Sequence, residues 1–178
     1  MKAPQGAFFY LIKTTYNLYV NKIFLYLIFC FLAMTASSSV QNKFVTESEF
    51  EDFLLMVHKT PTCGCCKEWV KHADQNGLKT FVKDYPNLEA VKDKYGIKPE
   101  YRSCHTSVSA DGYVFEGHIP SKYIKQFLAE DHPEAIGLSV PGMPLGSPGM
   151  EYEDRFMPYD VLILFKDGTS KVYAQIRK

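Results

Sequence analysis

Three cysteines stand within four residues, Cys63-Gly64-Cys65-Cys66, between a strand-like run, Leu54-Leu55-Met56-Val57, and a helix-like pattern of Trp69, Val70 and Ala73. A fourth follows in Ser103-Cys104-His105. Thiolates bind soft metal ions and attack disulfides, so a fold that brings four thiols to one loop holds a metal site or a redox site. A structural framework of two bridges is the ordinary use of four cysteines outside the cytoplasm, and it would spread them out. Neighbours such as Cys65 and Cys66 pair with each other only under strain.

The chain's first 36 residues read as an appendage. Residues 23–34, IFLYLIFCFLAM, are a twelve-residue apolar run preceded by Lys22 and followed by Thr35-Ala36-Ser37-Ser38-Ser39, the order of a secretory signal peptide. A membrane-spanning helix needs about twenty apolar residues, a length approached only by extending the run back towards Tyr16, so an uncleaved N-terminal anchor is the alternative. The expected organisation is a signal peptide or N-terminal membrane anchor over 1–36, a linker over 37–53 and one domain over 54–178. The product would be periplasmic or otherwise exported, touching a membrane only through that segment. Twenty basic residues balance twenty acidic ones, and Lys2, Lys13 and Lys22 fall in the appendage, where no acid stands. The remainder is mildly acidic and offers no basic patch for nucleic acid.

Along the domain, the pattern predicts a first strand, a helix from Cys66 with Gly77 as its stop, and a second strand over 78–85. A short helix capped by Asn87 comes next, and a loop over 97–105 leads into Thr106-Ser107-Val108-Ser109. Asp111-Gly112 turns this into Tyr113-Val114-Phe115-Glu116, and Ser121 caps a helix carrying Tyr123, Ile124, Phe127 and Leu128. After a Pro/Gly-rich loop over 140–150, residues 160–166 and 169–176 form a last hairpin about Asp167-Gly168. Strand, helix, strand, helix, strand, strand, helix, with cysteines at the first strand-to-helix junction, is the thioredoxin-like arrangement. The fold expected is therefore α/β, a mixed sheet with flanking helices plus a C-terminal β-hairpin. It would carry Cys104 and His105 up to the cluster.

Cys63 and Cys66 form a C-x-x-C pair, which suits disulfide exchange and metal capture alike, since the positive end of a helix favours thiolate. Cys65 tilts the balance, because a third thiol between attacking and resolving cysteines invites wrong pairings. Bridging sulfurs let several Cu(I) ions share a few cysteines. A single tetrahedral zinc suits this spacing less well, its usual ligand pairs being separated rather than adjacent.

Four segments, Lys59-Thr60-Pro61-Thr62-Cys63-Gly64-Cys65-Cys66, Arg102-Ser103-Cys104-His105-Thr106, Glu116-Gly117-His118-Ile119-Pro120 and the loop from Val140 to Glu151, resemble the CopG-type copper-resistance proteins. The resemblance implies a periplasmic protein that binds copper through Cys63, Cys65, Cys66 and Cys104 and cycles its oxidation state. The service expected is copper tolerance, by sequestration, by handover to a copper exporter or chaperone, or by redox interconversion of the ion. The rival reading is a thiol-disulfide oxidoreductase with Cys63 as nucleophile and Cys66 as resolver. Against it, the loop before the third strand carries Ser103-Cys104-His105-Thr106 where ordinary thioredoxin-like oxidoreductases have a cis-proline. An interaction module with oxidised cysteines is the third class.

His105 is a candidate ligand or thiolate partner, the alternative being a loop histidine in water. His118 is likewise a candidate through the resemblance, although strand alternation sets it with Val114 and Glu116, opposite Tyr113, Phe115 and Ile119, on what would be the solvent side. His58 is a weaker candidate, and His72 and His132 read as surface residues. Met143 and Met150 offer soft thioethers in the Pro/Gly loop but read first as core plugs. Trp69 reads as a buried anchor.

Overall fold

The computed structural model describes residues 53–178, so the signal-peptide or anchor reading and most of the linker lie outside the described residues. Leu55 and Val57 alternate inward from β1 (Leu54–Lys59), and Pro61 ends the strand before the cysteines. Helix α1 (Gly64–Gln75) begins earlier than the sequence pattern suggests, with Cys63 as its cap: the Cys66 N–H donates to Cys63 Sγ at 3.2 Å. It stops at Gly77, whose φ of 80° is the left-handed conformation that closes a helix.

Next come β2 (Lys79–Asp84), α2 (Glu89–Lys94), a 3-10 turn (Pro99–Tyr101), β3 (Thr106–Ser109) and β4 (Val114–Glu116). Helix α3 (Ser121–Leu128), β5 (Ala135–Ser139), β6 (Tyr159–Phe165) and β7 (Ser170–Ile176) complete the order. Two expected caps differ in detail. Asn87 accepts the Glu89 N–H at 2.6 Å, one residue ahead of the actual cap, Leu88. Ser121 is the first residue of α3 rather than its cap, and Pro120 precedes it with the fixed φ that a helix start accepts.

One seven-stranded mixed sheet runs β2-β1-β3-β4-β5-β6-β7, with β1/β2 and β4/β5 parallel and the other pairs antiparallel. The fold is thioredoxin-like α/β, as expected, and the C-terminal hairpin extends the same sheet through β5. Strand β5 itself has no expectation to match. It is short, follows Pro133 and is bulged between Ala135 and Gly137, and any Cβ on Gly137 would lie 1.8 Å from the Val114 carbonyl oxygen.

Trp69 and Ala73 of α1 and Ile124 and Phe127 of α3 pack with Leu55, Val57, Phe115, Leu138, Val161 and Ile163 from one face of the sheet. Trp69 is the anchor foreseen: it is fully buried and its Nε1–H donates to the Ile119 carbonyl at 2.9 Å. On the other face, Lys92 of α2 reaches Thr106 and Glu116, a cross-strand pair, so a polar cluster is buried there beside the apolar pair Val108 and Val114. Among the described residues no helix is long and apolar enough to cross a membrane.

Candidate metal centre

Strand β1 lies between β2 and β3, so the loop leaving β1 and the loop entering β3 meet at one end of the sheet. This adjacency brings Cys104 to the cysteines that open α1. Cys65 Sγ is 3.5 Å from Cys63 Sγ and 3.9 Å from Cys104 Sγ, and Cys104 Sγ is 3.4 Å from Cys66 Sγ. Cys63 and Cys66 are joined by a disulfide, with Cα atoms 5.4 Å apart, and this bond closes a ring of four sulfurs. Cys65 and Cys104 are free and half-buried.

Two histidines back the ring. Cys104, His105 and His118 offer ligand atoms that all lie within 4.8 Å of one another, as do the four sulfurs. His118 is 0% exposed, so the solvent-side alternative for it is wrong. Gly117, at φ 80°, breaks the strand alternation just before it and turns the imidazole inward. The Pro148 carbonyl, 2.8 Å from Nδ1, can only accept, so Nδ1 carries the proton and Nε2 presents its lone pair to Cys104 Sγ at 2.9 Å. His105 is fully buried rather than in water. Its Nδ1 lies 3.4 Å from Cys104 Sγ, its Nε2 has no partner, and its ring is tilted against Trp69 with centroids 4.5 Å apart.

Burial dominates the titration of these groups. It pushes the free Cys104 thiol up to about 12, helped by the neighbouring Cys65 sulfur, so without a metal this group keeps its proton at neutral pH. Burial also lowers both histidines, His105 well below the usual range, which leaves neutral rings with lone pairs to offer. A soft cation could displace the thiol proton and use the same lone pairs. Four sulfurs and neutral imidazole nitrogens gathered within a few ångströms fit a thiophilic ion far better than a hard oxygen-seeking one.

Residues 140–158 carry the Pro/Gly loop, which lies across the start of α1. A Cβ on Gly149, whose φ is 82°, would stand 2.6 Å from the Cys65 carbonyl oxygen and 2.7 Å from the Trp69 nitrogen. The loop is stitched by its own backbone, with Gly146 N–H donating to Met150 O at 3.0 Å and Met150 N–H to Ser147 O at 2.8 Å. Met143 does not plug the core, being 51% exposed; Met150 is half-buried. His58 is buried beside Tyr85 and Tyr95 with no partner for either nitrogen, and it is not among the residues grouped at the sulfurs. His72 and His132 are half-buried.

A family model described as "Protein of unknown function, DUF411" matches residues 101–150, the stretch that carries Cys104, both inner histidines and the Pro/Gly loop. No curated protein matches the chain. Among solved structures, one described as copper resistance protein copG, form 2, is 40% identical with a TM-score of 0.66, the match covering 70% of this chain and 98% of that one. A second, form 1, is 39% identical with the same TM-score, covering 71% and 98%. The chain belongs to the CopG copper-resistance family.

Some residues of this chain matter to the site's geometry but escape a reading of the sequence. Glu116 and Lys92 are buried, the carboxylate accepting from Lys92 Nζ, from the Ser103 N–H at 2.6 Å and, through Oε2, from Thr106 Oγ1 at 2.6 Å. Burial pushes the Glu116 carboxyl up, and Lys92, Thr106 and the Ser103 amide pull it back. The loop residues before Cys104 are held from other sides too. Ser139 Oγ donates to the Tyr101 carbonyl at 2.6 Å, and the Gly142 N–H to that of Arg102 at 3.1 Å. Of these, Arg102, Ser103, Thr106, Glu116 and Gly142 lie in motifs that the family resemblance picks out, whereas Lys92, Tyr101 and Ser139 do not.

Proposed function

We propose that this chain binds copper as Cu(I), more than one ion at a time, on the thiolates of Cys63, Cys65, Cys66 and Cys104, with His118 Nε2 and His105 as adjoining donors. The observation that carries this reading is the ring of four sulfurs, each within 3.9 Å of its neighbours. Sulfurs at these spacings can share ions, and a single tetrahedral ion with metal–sulfur bonds of about 2.3 Å would hold its ligands about 3.8 Å apart, so softness favours copper while the number of ions is left to the loading experiment. The names of the solved relatives, copper resistance proteins, support copper as the cargo. The service would be copper tolerance, by sequestration, by handover to an exporter or chaperone, or by redox interconversion of the ion. We place it outside the cytoplasm, with 1–36 as signal peptide or anchor, 37–53 as linker and 54–178 as the metal-binding domain.

The disulfide supports a second reading, thiol-disulfide exchange by Cys63 and Cys66. It also bears on the first, because a disulfide sulfur carries no thiolate charge and Cys63 and Cys66 must be reduced before they ligate. Anaerobic reduction followed by metal loading separates the two. The reduced chain is expected to retain more than one copper and to exclude zinc in competition, and the disulfide form to retain far less copper. One zinc held in preference to copper would overturn the copper reading. Disulfide-reductase turnover by metal-free protein that survives Cys65→Ser would favour the exchange reading.

A further inference from the structure

The cysteine beside the helix start is fixed by local sequence, but Cys104 reaches the ring on a loop, and a loop needs a reason to stay. We propose that the buried Glu116 carboxylate, neutralised by Lys92, is a clamp on the Ser103 amide that holds the Cys104 sulfur against Cys65 and Cys66.

Glu116 is 0% exposed and the Lys92 side chain 4%, so the pair sits out of water, where a charge persists only if it is paired and hydrogen-bonded. An ion pair is not the usual filling for such a space, since buried pairs can often be replaced by apolar side chains of the same size with little loss of stability. What the carboxylate adds is an acceptor of fixed direction. Oε2 is occupied by Thr106 Oγ1, which also takes the second Lys92 contact at 3.1 Å. Oε1 accepts from both Lys92 Nζ and the Ser103 N–H, one residue before Cys104, the latter at 2.6 Å. Because Thr106 and Glu116 are register partners in β3 and β4, the clamp is anchored in the sheet. Gly117 completes the approach: a Cβ there would stand 2.5 Å from the Ser103 Cβ, so a side chain at 117 would push the same loop away. Glu116 is thus a positioning residue. Its bearing on copper rests on the four-sulfur reading above, whereas its hold on Cys104 does not.

The test needs no copper. In the full chain with Cys30→Ser, Cys63→Ser and Cys65→Ser, Cys66 and Cys104 are the remaining thiols, 3.4 Å apart in the parent. In a glutathione redox buffer the protein dithiol and one glutathione disulfide give the protein disulfide and two glutathione thiols, and the equilibrium reports the effective concentration of one protein thiol at the other. Lys92→Met with Glu116→Leu keeps the interior filled but removes the acceptor, and should lower that concentration at least about tenfold, as expected for a lost charge-assisted hydrogen bond. Lys92→Met with Glu116→Gln keeps an oxygen for Ser103 and should recover about half the loss on a logarithmic scale. A concentration unchanged in the Glu116→Leu protein, or an equal loss in both, overturns the clamp. Should the Glu116→Leu protein fail to fold, amide exchange at Ser103 in the parent decides. Protection of at least about a hundredfold over an unfolded chain is expected, and exchange at the unfolded rate contradicts the proposal. If the parent takes up no copper, the metal reading falls while these thiol measurements stand.

Discussion

Cys104→Ser is expected to weaken Cu(I) binding by well over about tenfold and to lower the copper held per chain, with the fold intact. Losing a mere outer partner of a ligand costs about 10–100-fold in metal affinity, and loss of a ligand should exceed that. The argument is geometric. Cys104 Sγ touches both Cys66 Sγ and Cys65 Sγ, so removing it opens the ring at the point where the two loops meet. Serine supplies a hard hydroxyl that a soft ion disfavours, and it leaves His118 Nε2 facing that hydroxyl instead of a sulfur. Anaerobic competition against a chromophoric Cu(I) chelator measures the change. Full stoichiometry and affinity in the variant would remove Cys104 from the site.

Lys92→Met alone is expected to destabilise the fold by about 3–5 kcal/mol, the cost of leaving a buried charge without its partner. That is a large share of the roughly 5–15 kcal/mol that holds a domain together. Adding Glu116→Leu should return part of the loss, since the orphaned carboxylate is then gone while the Ser103 N–H and the Thr106 hydroxyl lose their acceptor. Equilibrium urea unfolding with the Cys63–Cys66 disulfide intact reads both effects, and equal stability of the single and double replacements would contradict the account. Surface ion pairs such as Lys71–Glu68, both exposed, should show no comparable effect.

The cysteine cluster was legible because its parts are local: a strand signal, a proline break and a helix signal bracket Cys63, Cys65 and Cys66 within a few residues. Cys104 was legible through the order of elements, which sets β3 beside β1, and through the family resemblance of the segment that carries it. Strand alternation misled at Glu116 and His118. It assumes that one face of a strand meets water, but α2 closes the second face over Glu116, and Gly117 redirects His118. A charged residue in a strand reads as solvated, and the sequence cannot say that Lys92 of α2 covers it on the same face. Strand β5 was missed because Gly137 is chosen for its approach to Val114 rather than for strand propensity. In the Pro/Gly loop the composition announced irregular backbone correctly. Its bonds to the site are made by backbone groups such as the Pro148 carbonyl, which any residue type would supply.

Copper-edge X-ray absorption on the anaerobically reduced, copper-loaded chain tests the shared-sulfur site most directly. The account predicts a first shell dominated by sulfur together with copper–copper scattering from ions that share thiolates. A shell of nitrogen and oxygen, or isolated copper with no neighbouring metal, would contradict it.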